Sequence, residues 1–93
     1  MKKYVITELA ASDLFEIRDY IAEDNRTAAK KVLAELKEAM QKIARNPRIG
    51  HVREELSGEA RLWSVRSYLI VYLPEDPVVI IRVLHGAREL TLL

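Results

Sequence analysis

Arg61-Leu62-Trp63-Ser64-Val65, Tyr68-Leu69-Ile70-Val71-Tyr72 and Val78-Val79-Ile80-Ile81-Arg82-Val83-Leu84 are three strand-like runs that follow one another along the last third of the chain. Arg66-Ser67 separates the first two, and Pro74-Glu75-Asp76-Pro77 separates the second from the third; both gaps are of hairpin length. Leu69–Leu73 and Val78–Leu84 are almost continuously apolar, as central strands covered on at least one face are. Three strands at this spacing predict an antiparallel meander, and what precedes it decides how the meander is covered.

Upstream, residues 2–7 read as a short first strand, with Tyr4 and Ile6 on one face and Val5 on the other. Ala10, Leu14, Ile17 and Ile21 then recur at helical offsets, while Asp13, Glu16, Arg18, Asp19 and Glu23 mostly take the other faces. Thr7 or Ser12 can cap that helix. After a polar turn at Glu23-Asp24-Asn25-Arg26, a second helix runs from about Thr27 to Arg45. Its stripe is Ala29, Val32 or Leu33, Leu36, Met40 and Ile43, and Asn46-Pro47 stops it. Residues 47–60 are the one long connection, punctuated by Gly50 and Gly58, charged, and expected to be mobile at its centre. The predicted fold is α+β in one domain, residues 1–93: an N-terminal strand and an antiparallel helical hairpin packed on a mostly antiparallel four-stranded sheet.

Composition sets limits on function. Ninety-three residues make one domain with a shallow core. An apolar fraction of 49% with 31% charged residues argues against a membrane protein, and no run approaches the roughly 20 apolar residues of a membrane span. The N-terminal apolar run is too short for a secretory signal. There is no cysteine, hence no disulfide framework or thiolate metal site, which fits a cytoplasmic location. A net charge of +1 is too small to suggest strong nonspecific nucleic-acid binding. The distribution is more telling: all six lysines lie at or before Lys42, and every cation from Arg45 onward is arginine. Arginine presents a planar fork suited to phosphate and carboxylate, so the C-terminal half reads as an arginine-lined contact surface.

The chain has no phosphate-binding glycine loop, no dinucleotide fingerprint and no serine-nucleophile elbow. Its two histidines, His51 and His85, lack metal-ligand spacing, so no cofactor and no metal is expected. Glu54-Glu55 and Glu75-Asp76 read as solvated loop carboxylates. What remains is Arg61, Arg66, Arg82, His85 and Arg88 with Tyr68 and Tyr72. Such a set can cleave RNA, with histidine or tyrosine moving protons and arginine stabilising the phosphate. It can equally be structural: Trp63, Tyr68 and Tyr72 as core or rim aromatics, Arg61 and Arg82 paired with carboxylates such as Asp13 or Asp19, and His85 bonded to backbone at a strand end.

Ala11-x-Asp13-Leu14-x-x-Ile17-x-x-Tyr20-Ile21, Ala29, Asn46-Pro47-x-x-Gly50, Arg53-x-x-Leu56, Arg61, Val65, Tyr68-x-Ile70-x-Tyr72 and Ile81-Arg82-Val83-Leu84-His85-Gly86-Ala87-Arg88, in this order and spacing, resemble the RelE/ParE superfamily of bacterial toxin–antitoxin toxins. The resemblance spans nearly the whole chain. It implies a small cytoplasmic bacterial toxin neutralised by a cognate antitoxin. The antitoxin's DNA-binding N-terminal domain would carry a C-terminal tail that wraps the toxin, in a heterotetramer or larger assembly. RelE-like members cut mRNA in the ribosome; ParE-like members bind DNA gyrase and trap it on DNA.

The ending Arg-Val-Leu-His-Gly-Ala-Arg and the long Ala-rich hairpin resemble the ParE branch. Nucleases of the other branch carry a basic residue after the first tyrosine of Tyr-x-x-x-Tyr, where this chain has Leu69. They place a catalytic tyrosine or histidine beyond the final arginine, where this chain ends Glu89-Leu90-Thr91-Leu92-Leu93. They also present lysines ahead of the second strand, and no lysine follows Lys42. The expectation is a toxin without catalytic residues that inhibits DNA gyrase by direct binding and has no sequence-specific nucleic-acid binding of its own. An mRNA endonuclease and a non-toxic antitoxin-binding relative are the alternatives. Arg61, Trp63, Arg66, Tyr68, Arg82, His85 and Arg88 are the expected antitoxin- or target-binding residues, with Phe15, Leu33 or Leu93 as apolar contacts.

Overall fold

Thr7 turns the chain from strand to helix. In the computed structural model, which describes residues 3–53, 56 and 58–86, β1 (Tyr4–Ile6) ends at Thr7. The Thr7 hydroxyl accepts a hydrogen bond from the Ala10 N–H (3.1 Å) and caps α1 (Glu8–Ala22). The same hydroxyl donates to the Ile81 carbonyl (3.0 Å), so the cap also ties the helix to the sheet. Asn25 caps α2 (Arg26–Arg45), its side chain accepting from the Ala28 N–H (3.0 Å).

The sheet continues with β2 (His51–Val52), β3 (Arg61–Val65), β4 (Tyr68–Leu73) and β5 (Val78–His85), in the order β1-β5-β4-β3-β2. β1 runs parallel to β5 and the other pairs are antiparallel. The α+β class and the three-strand meander match the expectation. The sheet has five strands rather than four, because His51 and Val52 of the long connection pair with Leu62 and Arg61. A two-residue strand carries no alternation for a sequence to display; what holds it is described below.

One face of the sheet carries Ile70, Tyr72, Val78, Ile80 and Val83 against Ala10, Leu36, Ala39, Met40 and Ile43 of the helices. Val32 packs against this core and Leu33 does not, which resolves the ambiguity in the α2 stripe. The opposite face buries Ala60, Leu62, Val71 and Leu84, flanked by Leu56, Leu69, Leu73 and Ile81. A bulge in β5 reconciles the two faces. Val71 pairs with Arg82 and Tyr72 with Ile80, leaving Ile81 as the extra residue. Ile80 and Val83, three apart, therefore both meet the helices, while Ile81 and Leu84 both join the opposite cluster.

Candidate functional site

Asp13 lies on α1 one turn after Ala10 and one turn before Ile17, so it projects toward the sheet rather than with the polar faces where the sequence placed it. It is buried and faces the bulge of β5. Arg82 grips it with both ends of its fork, Nε to Oδ2 (2.9 Å) and Nη2 to Oδ1 (3.0 Å), and the Val83 N–H donates to Oδ2 (2.9 Å). A buried carboxylate is tolerated where it is paired and hydrogen-bonded like this. The Asp13–Arg82 pairing that the sequence admitted is therefore present, and Arg82 braces α1 against β5.

Among the described residues Arg61 pairs with no helix carboxylate. Its Nη1 donates to the Gly50 carbonyl (2.9 Å), and the Arg48 carbonyl lies at 3.5 Å. Its Nε is buried without a hydrogen-bond partner among the described residues. Tyr72 Oη completes this support: it accepts from the Gly50 N–H (2.8 Å) and donates to the Pro47 carbonyl (2.7 Å). These two side chains hold residues 47–50 beside the sheet and set β2 next to β3. A Cβ at Gly50 would lie 2.5 Å from Tyr72 Oη and 2.8 Å from the Leu62 carbonyl, so only glycine fits. The spacing Asn46-Pro47-x-x-Gly50 and the second tyrosine of Tyr68-x-Ile70-x-Tyr72 are thus two halves of one packing contact.

Trp63 is half-buried on β3. The Lys42 ammonium lies 5.3 Å from its ring centroid, and the His51 ring stacks at 6.3 Å with an interplanar angle of 19°. Arg66 occupies the β3–β4 turn in the left-handed region, φ 56°, and its fork meets Glu35 of α2, with Nη2 3.1 Å from Oε1. The hydrogen bond from Arg66 holds the exposed Glu35 carboxyl below its ordinary range and raises Arg66 in turn.

Tyr68 and His85 meet at paired positions of β4 and β5, ring centroids 5.2 Å apart. They line a half-open cavity of about 270 Å3 beneath α1, together with Asp13, Glu16, Ile17, Tyr20 and Val83. Burial, with the nearby Tyr20 adding to it, pushes the Tyr68 hydroxyl above the ordinary phenol range. No lysine or arginine lines this cavity among the described residues.

The expected residues thus sit in separate places. Arg61 and Trp63 share the β2–β3 edge, Tyr68 and His85 share the cavity under α1, Arg66 is at a hairpin tip, and Arg82 is engaged between α1 and β5. Arg88 and Leu93, like Glu54 and Glu55, lie outside the described residues. Phe15 is 57% exposed with the Arg18 guanidinium 5.0 Å over its ring.

One feature is absent from the expected set: an apolar groove of about 300 Å3 at the turn end of the helical hairpin, where α1 ends and α2 begins. Ala22, Ala29 and Leu33 line it, and Arg18, Arg26 and Lys30 rim it. Leu33, expected as a contact, belongs here. The available signal was the pairing of Arg26 and Lys30 one turn apart on α2, near Leu33, which the sequence left as an alternative to Val32 in the core stripe. Among the described residues no group of histidines and carboxylates could hold a metal ion, and no helix is long and apolar enough to cross a membrane.

A family model described as ParE toxin of type II toxin-antitoxin system, parDE, matches residues 4–90. The chain is 36% identical over 89 residues to Toxin RelE2 of Caulobacter vibrioides, covering 95% of this chain and 99% of that protein. Its fold is similar to a structure of the chromosomal ParDE TA system from P. aeruginosa, with a TM-score of 0.76 and 19% identity over 92% of this chain and 97% of the other.

Proposed function

This chain belongs to the ParE toxin family of type II toxin–antitoxin systems, and on that premise we propose that it acts by binding DNA gyrase directly, without cutting a substrate of its own. The observation that carries this reading is the cavity holding Tyr68 and His85, the described pair best suited to move protons. Its walls present the Glu16 carboxylate, while the charges of Asp13 and the nearby Arg82 cancel in their ion pair. A phosphodiester entering there would meet negative charge, with no arginine or lysine among the described residues lining the walls to stabilise its transition state. The raised Tyr68 hydroxyl stays protonated near neutral pH, which suits a hydrogen-bonding contact better than a general base. The opposite sheet face adds support: Leu69 belongs to an apolar cluster at the position where nucleases of the superfamily carry a cation.

The cognate antitoxin is the second partner. The groove of Ala22, Ala29 and Leu33 with its rim of Arg18, Arg26 and Lys30 suits an amphipathic helix with apolar anchors and acidic flanks. A second reading, ribosome-dependent mRNA cleavage, is favoured by the Tyr68–His85 contact and by the name of the Caulobacter relative. Supercoiling by purified gyrase separates the two. Addition of the toxin should inhibit it and spare mRNA on ribosomes, and cells expressing the toxin should filament with a DNA-damage response. Cleaved mRNA with supercoiling untouched would reverse the assignment.

A further inference from the structure

Between Ala39 and Arg53 the chain carries Lys42, Arg45, Arg48 and Arg53 and no carboxylate, so with a total of +1 the remainder is net negative. The fold puts three of these four cations at and just beyond the end of α2. Lys42 and Arg45 stand exposed in the last turn of α2, and Arg48 stands exposed in the turn behind it. That turn is held by Arg61 and Tyr72, and Lys42 lies over Trp63 of β3. Lys42, Arg45 and Arg48 make no ion pair among the described residues. Lys42 and Arg45 partly offset the negative pole at the end of α2, whereas Arg48 lies beyond it.

We propose that this face, built by the end of α2, the turn after it and β3, binds the sugar–phosphate backbone of duplex DNA without regard to sequence. Spaced cations dominated by arginine forks match a row of phosphates. The net-negative remainder turns this face toward a polyanion. An acidic polypeptide fits less well, because such segments anchor through apolar side chains. The cavity of about 310 Å3 beside Arg48 and Arg61 is walled by Val52, Gly58, Pro74 and the carboxylate of Glu59, not by an apolar pocket like that at the turn end of the helical hairpin. Glu59 opposes a lone anion enclosed there, so the contact is a backbone lying across several cations. This surface needs no gyrase and goes beyond the function proposed above, yet it suits a protein that meets gyrase while gyrase holds DNA.

Trp63 is the single tryptophan of the chain and reports directly. Titrating the full-length toxin at low salt with a mixed-sequence duplex of about 20 base pairs should change Trp63 emission, and log affinity should fall against log salt with a slope of about −3, near 0.9 per phosphate contact. Arg45→Gln/Arg48→Gln, which leaves the Lys42–Trp63 contact in place, should weaken binding roughly tenfold and bring the slope to about −1. Lys31→Gln/Lys37→Gln removes equal charge elsewhere on α2 and should bind as the unaltered toxin does. Circular dichroism confirms that each variant is folded. No binding by the unaltered toxin, equal losses in both variants, or competition by polyglutamate as strong as by DNA would each overturn the proposal, the last in favour of an acidic protein partner. Because the titration contains no gyrase, its outcome is separate from that of the supercoiling assay.

Discussion

Tyr72 Oη joins Gly50 to Pro47 and thereby fixes the connection between the helices and the meander. Tyr72→Phe strands a buried Gly50 N–H and should lower stability by about 1–3 kcal/mol in urea unfolding. Gly50→Ala forces a methyl against that oxygen and should cost a similar amount, about 1–3 kcal/mol. Combining them should cost less than the sum, because Phe removes the nearest clashing atom. Asp13→Asn keeps the shape but leaves Arg82 facing a neutral amide, and about 3 kcal/mol should be lost. Replacing both partners with apolar residues should recover only part of this, since the Val83 N–H still lacks its acceptor. At this scale the sequence was half legible. A helix carboxylate able to meet Arg82 could be read from spacing. The Gly50–Tyr72 contact could not, since it joins residues 22 apart through a register that only the folded sheet sets. The stack of Lys42, Trp63 and His51 draws on three elements and was hidden for the same reason.

Two caps of similar chemistry should behave differently at the scale of elements. Asn25 serves α2 alone, and Asn25→Ala should cost about 1 kcal/mol. Thr7 caps α1 and also bonds β5, so Thr7→Ala should cost about 1 kcal/mol more than Asn25→Ala, read as the difference between their urea midpoints. The turn end of the helical hairpin invites a binding test. Arg26→Glu/Lys30→Glu should reduce antitoxin affinity at least about tenfold, mainly through slower association, while the thermal midpoint stays near that of the parent. Helices and long strands were legible because their apolar periods run over many residues. β2 was not, having two residues and no period, and the groove was not, because it forms only where the end of α1 meets the start of α2.

For the whole molecule, the near-neutral total hides a division of charge. α1 carries Glu8, Asp13, Glu16 and Asp19 against Arg18 alone, whereas the far end of α2 and the turn beyond it carry only cations. Affinity for any polyanion should therefore fall steeply with salt despite a net charge of +1. α2 itself joins the two surfaces proposed above. Its 20 residues form a rod of about 30 Å, with the apolar groove at its start and the cationic turn at its finish. A neutralising helix seated at one tip leaves the other uncovered. An antidote could then grasp a toxin already lodged on its target and draw it away, so poisoned cells should recover whether the antidote is added early or late.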